Sequence, residues 1–311
     1  MKKIIITGGF GFIGSRLAIH LTKKKYKVVI LEHPKARKPS NLRKIKTIRV
    51  DITDKRKVEK LIVKNVYAIL HLAAQSSGPK SFFIPIEDIT LNLIGTTNVI
   101  NLCKRNNIKR IIYASSFVVY GKHKSEKLKE TYNCYPESVY ATTKHAGELM
   151  LKNYAQPHGI NWNVIRMYNV YGIGQDITRS DQGLVGIFMN MIKKSNKVEV
   201  KGSLNRFRDI INIEDVIRGW ELCLRSNKKN EVFNLGTGIK TTFRKLINSL
   251  AKIANKERKI KIYEKGKTEG DLKGCVADLT KIKKQLNFKP KISLQAGLKQ
   301  MWKYETLKKK K

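Results

Sequence analysis

Short runs of β-branched residues alternate with longer amphipathic stretches through the first two-thirds of the chain. This order is typical of a parallel β-sheet whose faces are covered by helices. We predict strands at residues 3–7, 27–31, 47–50, 68–72, 110–114 and 163–167. Helical patterns separate these strands at residues 12–23, 55–63, 89–106 and 136–154. The pattern therefore predicts an α/β fold built on a parallel sheet.

The rhythm changes after residue 170, where glycine-bearing loops become frequent. Short strands at 198–200 and 233–235, and helices at 184–194 and 244–253, predict a smaller lobe. A strand at 210–213 and the helix after it are predicted to return to the sheet. We therefore predict one domain of residues 1–170 that also takes in 203–226, and a smaller lobe made mainly of residues 171–311.

A glycine-rich turn connects the first predicted strand to the first predicted helix. Gly8 and Gly11 permit a tight turn and a close backbone approach, and Gly14 lets the helix pack near the strand. Free N–H groups and the helix dipole at this point favour an anion such as a pyrophosphate. The predicted cofactor contacts in the turn are Gly8, Gly11, Phe12, Ile13 and Gly14.

Glu32 ends the second predicted strand, 18 residues after Gly14. A carboxylate at this place accepts hydrogen bonds from the adenosine ribose and repels a 2′-phosphate, so the sequence predicts NAD as cofactor rather than NADP. Asp51 and Ile52 follow the third strand, where they can contact the adenine amine and ring face. Small residues after the fourth strand let a dinucleotide lie against the backbone, which adds Leu72, Ala73, Ala74 and Gln75 to the predicted contacts.

Two serines, a tyrosine and a lysine carry the candidate chemistry. Ser115 and Ser116 end the fifth strand, and Tyr140 and Lys144 lie four residues apart, on one face of a predicted helix. The ammonium stabilises the phenolate and so lowers the tyrosine pKa. The phenolate can then accept a proton from a sugar hydroxyl that the serine orients, while NAD takes the hydride.

Together these segments resemble the extended short-chain dehydrogenase/reductase family, and its UDP-glucose and UDP-N-acetylglucosamine 4-epimerases most of all. The resemblance covers nearly the whole chain. It implies a Rossmann-type doubly wound parallel sheet with a smaller C-terminal substrate-binding lobe. The segments that carry it are 7–14, 71–75, Asn92 with Gly95-Thr96, 115–121, 140–144, 166–172, Arg208-Asp209, 233–238 and 269–271.

The resemblance also implies roles for individual residues. Ser116, Tyr140 and Lys144 would form the catalytic set, and Arg208 would bind the substrate pyrophosphate. Further cofactor contacts are implied at Asn92, Ser115, Tyr140, Lys144 and Tyr168, and substrate contacts at Ser116, Asn169, Arg208, Asp271 and Cys275.

Within this family, the two residues after the catalytic serine distinguish enzymes that catalyse different reactions. Relatives that eliminate water need an acid–base pair there, and decarboxylases usually carry a glutamate at the second place, whereas this chain has Phe117 and Val118. Inversion at C3 or C5 uses a nearby cysteine, which is absent here. The favoured reaction is thus 4-epimerisation of a UDP-hexose, through reversible oxidation at C4, rotation of the 4-keto sugar and return of the hydride to its other face. Asn169 favours a neutral hexose over a uronate. A reductase or another epimerase of a 4-keto nucleotide sugar is the alternative.

Cys275 occupies the position that controls pocket width in these epimerases, four residues after Asp271. A cysteine there leaves room for a 2-acetamido group that a tyrosine would exclude, because packed interiors do not yield cheaply to added atoms. The sequence therefore predicts turnover of N-acetylated sugars as well. The competing interpretation is a small buried hydrophobic residue in a late strand.

The net charge of +40 would suit a nucleic-acid or anionic-surface partner, and a catalytically retired scaffold is the third functional hypothesis. Lysines outnumber arginines by 49 to 15, however, and they are spread along the chain without interleaved aromatic residues. We therefore favour compositional bias and predict no specific nucleic-acid partner. Four scattered cysteines and the absence of a signal-peptide or membrane-spanning pattern predict a cytoplasmic protein without membrane insertion. The resemblance implies a homodimer that pairs through helices 89–106 and 136–154.

Overall fold

The computed structural model describes residues 1–266 and 273–307. Within them, no helix is long and apolar enough to cross a bilayer. The strands are β1 (Lys3–Thr7), β2 (Lys27–Glu32), β3 (Lys46–Arg49), β4 (Val66–His71), β5 (Arg110–Ser116), β6 (Lys127–Leu128), β7 (Asn161–Met167), β8 (Asn169–Tyr171), β9 (Lys197–Lys201), β10 (Phe207–Arg208), β11 (Ile210–Asn212), β12 (Glu231–Leu235), β13 (Thr241–Thr242), β14 (Lys261–Lys265) and β15 (Val276–Ala277).

The helices follow the same order along the chain. They are α1 (Phe12–Lys23), α2 (Lys55–Glu59), α3 (Gly78–Phe83), α4 (Pro85–Asp88), α5 (Gly95–Arg105), α6 (Val139–Met150), α7 (Leu184–Lys194), α8 (Ile213–Arg225), α9 (Phe243–Ile253), α10 (Thr280–Leu286) and α11 (Leu294–Leu307). A π-helical segment, Ile89–Ile94, joins α4 to α5, and a second one, Leu151–Ala155, extends α6.

Seven parallel strands form the central sheet, in the order β12-β7-β5-β4-β1-β2-β3. From β1 the chain steps outward to β2 and β3, and then returns to β4 on the other side of β1. In such open sheets the ligand crevice lies outside the carboxyl ends of the strands, at the point where the order reverses. The predicted Rossmann-type fold class is confirmed, and the crevice is expected above β1 and β4.

The middle strand shows why the sheet is buried on both faces. Ile4, Ile5 and Ile6 of β1 are each fully buried. Because successive strand residues point to opposite faces, Ile4 and Ile6 share one core cluster with Trp220 of α8, whereas Ile5 joins the other cluster with Val99 of α5. The uninterrupted apolar sequence of β1 is therefore explained by the helices that cover the sheet on both faces.

A third hydrophobic cluster lies in the C-terminal part of the chain. It joins α7, β9, α9 and α11, through residues such as Phe188, Val198, Leu246 and Leu298. This cluster provides a core for the smaller lobe that the sequence predicts. The domain boundary at residue 170, with residues 203–226 joining the first domain, stays a prediction.

Two strand assignments from the sequence are wrong. The strand predicted at 210–213 does not return to the central sheet, because β11 pairs with β8 in a separate two-stranded sheet, although α8 does pack against α1. The strand predicted at 233–235 belongs to the central sheet instead, as β12 pairs with β7 at the edge. Hydrophobic patterning identifies a strand but not its partner, since pairing depends on residues far away in the chain.

Candidate active site

A cavity of about 1520 Å³ opens at the carboxyl ends of the central strands. Gln75, Asn92 and Cys275 are not among its lining residues, and Asp271 lies outside the described residues. The sequence-predicted residues that line it are Gly8, Gly11, Phe12, Ile13, Gly14, Glu32, Asp51, Ile52, Leu72, Ala73, Ala74, Ser115, Ser116, Tyr140, Lys144, Tyr168, Asn169 and Arg208.

The turn between β1 and α1 has no room for a side chain at Gly8 or at Gly14. Gly8 has a φ of +67°, and a Cβ there would lie 2.7 Å from the Ala73 backbone nitrogen. A Cβ on Gly14 would lie 2.2 Å from the Gly8 carbonyl oxygen. Gly11 caps α1 with its backbone alone, so the first N–H groups of the helix face the cavity mouth without a side-chain partner. This bare backbone at a helix N-terminus fits the pyrophosphate of a dinucleotide.

The carboxylate of Glu32 is held at the end of β2. Its Oε2 accepts a hydrogen bond from the Phe10 backbone N–H at 2.8 Å, and its Oε1 accepts one from His33 N–H at 3.1 Å. Asp51 accepts hydrogen bonds from the Thr53 backbone and hydroxyl, and its Oδ2 lies 3.4 Å from His33 Nε2. Two fixed carboxylates thus flank the end of the cavity where the sequence predicts adenosine.

Gln75 and Asn92 form a buried network behind the cavity wall instead of lining it. Asn92 Oδ1 accepts from the Gln75 backbone N–H at 2.8 Å, and Asn92 Nδ2 donates to Thr143 Oγ1 of α6 at 3.1 Å. The Gln75 side chain donates to Asp88 at 2.7 Å. These contacts tie the end of β4 to α6, so both residues act on the cavity by fixing its wall.

Ser116, Tyr140 and Lys144 meet in the cavity as the sequence predicts. The Ser138 hydroxyl begins α6 by accepting from Ala141 N–H at 3.1 Å, which sets Tyr140 and Lys144 one turn apart on the inner face. Burial raises the pKa of Tyr140 to about 12, and the hydrogen bond with Ser116 opposes the shift. Burial lowers the pKa of Lys144 to about 7, and the nearby carboxylates of Glu148 and Asp88 oppose that shift.

The tyrosine pKa is therefore not lowered as the sequence argument expects. Desolvation outweighs the hydrogen bond to Ser116, since burial disfavours the charged form of any group. Lys144 Nζ lies 4.1 Å from the centre of the Tyr113 ring, a contact that sequence reasoning missed. The protein alone thus holds a neutral phenol beside an amine whose charge changes near neutral pH.

A buried carboxylate of α6 forms an ion pair with β7 and a hydrogen bond with the end of β5. Glu148 accepts two hydrogen bonds from Arg166, at 3.0 Å from Nε and 2.6 Å from Nη2, and a short one from the Ser115 hydroxyl. Burial would raise the pKa of Glu148, but the nearby His145 and the hydrogen bonds from Arg166 and Ser115 lower it to about 2. Because Ser115 precedes Ser116 and Glu148 follows Lys144 by one turn, the hydrogen bond from Ser115 to Glu148 fixes the distance between Ser116 and the helix.

A second carboxylate braces the predicted pyrophosphate contact. Asp209 is fully buried and accepts hydrogen bonds from Thr237 N–H at 2.7 Å, Gly238 N–H at 2.8 Å and Ala277 N–H at 3.1 Å. Its neighbour Arg208 lies over the Phe243 ring at 5.4 Å and lines the cavity. The guanidinium is thereby anchored at a rigid point of the chain.

Cys275 lies beneath the cavity wall. It is 4% exposed and belongs to the large core cluster, together with Tyr168 and Phe117. The rings of Phe117 and Tyr168 stack at 5.1 Å and face the cavity themselves. Any effect of the Cys275 side-chain size on a sugar would therefore be transmitted through such neighbours.

Sequence reasoning missed the loop between Gly174 and Gly183, which lines the cavity. Both glycines have positive φ angles, +94° and +83°. The loop is tied to the start of α3 by a 2.8 Å contact between Ser76 Oγ and the Gln182 amide and a 3.1 Å bond from Ser77 Oγ to the Asp181 carbonyl. The two glycines were the sequence signal that could have identified this loop. The segment between them has no hydrophobic periodicity, so the pattern analysis did not single it out.

The parallel sheet, the bare glycine turn and the buried Tyr140–Lys144 pair define a nucleotide-binding α/β enzyme. A sequence profile described as the NAD dependent epimerase/dehydratase family matches residues 4–236. The chain therefore belongs to this family, and NAD is its cofactor. The predicted family and cofactor are confirmed.

Individual relatives are similar along the full chain. A protein of Methanocaldococcus jannaschii, provisionally named a UDP-glucose 4-epimerase, is 33% identical over 303 residues, 96% of each chain. The solved structure of UDP-glucose 4-epimerase from Thermotoga maritima with UDP-glucose has a TM-score of 0.92 at 31% identity and covers 98% of this chain and 99% of that one. A UDP-N-acetylglucosamine 4-epimerase from Methanobrevibacter ruminantium, solved with UDP-N-acetylmuramic acid, has a TM-score of 0.91 at 28% identity over 99% of both chains.

Family membership leaves the reaction open. Relatives at 28% identity include a dTDP-D-glucose 4,6-dehydratase of Dictyostelium discoideum and UDP-glucuronic acid decarboxylase 1 of Arabidopsis thaliana. The chain is thus an enzyme of the epimerase/dehydratase family, and its particular reaction has to be argued from its own residues.

Proposed function

We propose that this chain is an NAD-dependent nucleotide-sugar 4-epimerase acting on a UDP-hexose. The observation that carries the proposal is that Ser116, Tyr140 and Lys144 line one cavity. Phe117 and Val118 directly follow Ser116 in the chain. Loss of water from a sugar needs an additional acid and base, and these two apolar side chains can supply neither. Oxidation and reduction at one carbon need only the first three residues and the cofactor.

In the proposed reaction, bound NAD would supply a hydride acceptor next to C4 of the sugar, and the hydride would return to the opposite face of the same carbon. To act as the base Tyr140 has to be deprotonated: as the phenolate it takes the proton of the C4 hydroxyl, and as the phenol it gives that proton back. The Ser116 hydroxyl, whose interaction with Tyr140 opposes the rise in the tyrosine pKa, orients the same oxygen. Lys144 lies one turn after Tyr140, so its ammonium favours the phenolate at the moment the proton moves. The buried pair of Glu148 and Arg166 helps to hold the serine, the tyrosine and the lysine in their relative positions.

Arg208 and Asn169 are the proposed substrate contacts on the other side of the sugar. Arg208 would bind the diphosphate, as a guanidinium offers paired donors to phosphate oxygens. Asn169 Nδ2 donates to the Asp209 carbonyl at 3.3 Å, and its side chain lines the cavity. The assignment of uridine and of a hexose rests on the relatives that bind UDP-glucose, and acceptance of N-acetylated sugars is proposed on the likeness to a UDP-N-acetylglucosamine 4-epimerase.

The test is incubation of the purified holoenzyme with UDP-glucose, UDP-galactose, UDP-N-acetylglucosamine, UDP-N-acetylgalactosamine and UDP-glucuronate, followed by separation of the epimers. We expect interconversion of the neutral hexoses over many turnovers without added cofactor, since the hydride that leaves is returned. Stoichiometric use of NADH or NADPH without epimer exchange would show a reductase instead.

We also propose that the protein is a homodimer. Exposed apolar side chains cluster on three adjacent segments: Ile86 of α4 is 70% exposed, Ile94 of the π-helical segment 46% and Leu149 of α6 45%. Apolar surface of this kind marks an interaction site when it is contiguous. The double substitution Ile94→Lys/Leu149→Lys should give a monomer by light scattering, whereas Ile62→Lys, at a side chain 80% exposed elsewhere, should not. A wild-type monomer would refute the proposal.

We propose a cytoplasmic location because the cysteines, all of which lie within the described residues, form no disulfide bonds. Cys103, Cys134, Cys223 and Cys275 are all free, as is usual for a reducing compartment. Recovery of the protein with the cytoplasmic fraction of its cell is the expected result.

A further inference from the structure

Three metal-binding side chains meet next to the catalytic helix, outside the cavity. Cys134 comes from the loop before α6, and His145 and Glu148 come from α6 itself. The Sγ of Cys134, Nδ1 of His145 and a carboxylate oxygen of Glu148 all lie within 4.8 Å of one another. Neither Cys134 nor His145 lines the cavity, and the proposed chemistry uses neither.

The atoms of this cluster are poised for a further ligand. His145 Nδ1 is buried and has no hydrogen-bond partner among the described residues, and it lies 3.6 Å from Glu148 Oε2. Glu148 is only 6% exposed, and its bonds to Arg166 and Ser115 hold the carboxylate in one orientation. A carboxylate oxygen has two acceptor sites, so Oε2 can bind a metal while it accepts from Arg166.

The donor set selects the kind of ion. Thiolate, imidazole and carboxylate are the three ligand types of zinc, whereas calcium and magnesium take oxygen ligands almost alone. Cys134 and His145 are partly exposed, which gives an ion and a fourth, water ligand access from solvent. We propose that Cys134, His145 and Glu148 bind one Zn²⁺ beside the catalytic helix, and that bound zinc inhibits the enzyme.

Inhibition follows from the position of the ligands. His145 directly follows Lys144 in the chain. Glu148 accepts a hydrogen bond from Ser115, which directly precedes Ser116. Zinc bonds of about 2.0–2.3 Å bring tetrahedral ligands closer together than 4.8 Å. Drawing Glu148 toward Cys134 would loosen its bonds to Ser115 and Arg166 and shift the serine from Tyr140. The inhibitory effect rests on the proposed function, but the metal site does not.

The experiment uses reduced, metal-free holoenzyme and measures metal binding apart from activity. Zn²⁺ affinity is taken from competition with a chromophoric chelator, and Co²⁺ is added as a spectroscopic probe of a thiolate-bound, four-coordinate site. We expect one equivalent to bind, with a sulfur-to-cobalt absorption band. Cys134→Ser should abolish the band, and both Cys134→Ser and His145→Gln should weaken Zn²⁺ binding at least 10-fold, since even outer-shell partners are worth about 10- to 100-fold. His158→Gln, at an exposed histidine outside the cluster, is the matched control.

Wild-type activity should fall as zinc binds and recover with chelator, whereas Cys134→Ser should be active and resistant to zinc. No cobalt–sulfur band, or equal affinity in wild type and Cys134→Ser, would overturn the site. Zinc binding with unchanged activity would overturn the inhibition. A protein that binds zinc but turns over no nucleotide sugar would refute the proposed function and leave the metal site standing.

Discussion

Tyr140 is the residue on which the proposed reaction depends most directly. Burial raises the pKa of Tyr140 to about 12 in the protein alone, so removing its oxygen removes the proposed base without changing the charge of the resting protein. Tyr140→Phe should leave NAD binding intact and reduce kcat by about 10²- to 10⁴-fold, the usual contribution of a general base. Tyr135→Phe removes a hydroxyl from an exposed tyrosine outside the cavity and is the control. Turnover of Tyr140→Phe within threefold of wild type would remove Tyr140 from this role.

Glu148 is the residue whose loss should cost most stability near the site. Glu148→Gln leaves the Arg166 guanidinium buried without a counter-charge, which is expected to cost about 3–5 kcal/mol of unfolding free energy. Glu126→Gln, in an exposed pair with Lys240, should cost no more than about 1 kcal/mol. Urea unfolding at pH 7 compares the two variants, and equal losses would show that the buried pair is not stabilising.

The acid response of Glu148 follows from the direction of its pKa. Its folded pKa of about 2 lies below the ordinary value of 4.5, because the nearby His145 and the hydrogen bonds from Arg166 and Ser115 outweigh burial. Its stabilisation is therefore fully present above about pH 4.5 and is lost as the pH falls toward about 2. Glu148→Gln should show a smaller loss of unfolding free energy across this range than wild type.

At the scale of elements, His71 joins two strands to a helix. Its Nδ1 lies 2.7 Å from Thr7 Oγ1 of β1, and its Nε2 lies 2.9 Å from Thr96 Oγ1 of α5. Complete burial, with a smaller effect of the Lys144 charge, lowers the pKa of His71 to about 3 from 6.5. The imidazole is thus neutral in the fold, where a hydroxyl on each side can bond to it.

This histidine should make the sheet sensitive to acid. A lowered folded pKa means stabilisation that is fully present above about pH 6.5 and lost as the pH falls toward about 3, by about 1.4 kcal/mol per pH unit. His71→Gln should flatten the fall in unfolding free energy between pH 6.5 and pH 4.5, whatever its stability at pH 7. His158→Gln, at an exposed histidine, should keep the wild-type slope, and identical slopes for both variants would contradict the assignment.

At the scale of the whole molecule, the net charge of +40 is the feature that the proposed enzyme leaves unexplained. If it reflects composition, DNA and RNA should bind only through phosphates, with a Kd of about 10⁻⁴–10⁻⁶ M near physiological salt and a steep loss on adding salt. Fluorescence anisotropy with several sequences at 50 and 200 mM salt tests this. Sequence-selective binding below micromolar Kd near 150 mM salt would favour a nucleic-acid-binding scaffold.

The sequence by itself determined the features that depend on near neighbours. The apolar run of β1, the glycine turn at Gly8 and the four-residue spacing of Tyr140 and Lys144 each predicted their local structure, because periodicity and turn chemistry act within a few residues. Glu32 was located by its distance from the glycine turn. The class of fold and the family followed from these segments together.

Only the tertiary structure decided the features that depend on distant contacts. Patterning did not reveal that β11 pairs with β8 or that β12 completes the central sheet, since a strand pattern does not encode its partner. The raised pKa of Tyr140 was also missed, because desolvation depends on the whole surroundings of a group. The meeting of Cys134 with His145 and Glu148 likewise arises where a loop folds back on α6. Such contacts join residues that no local pattern connects.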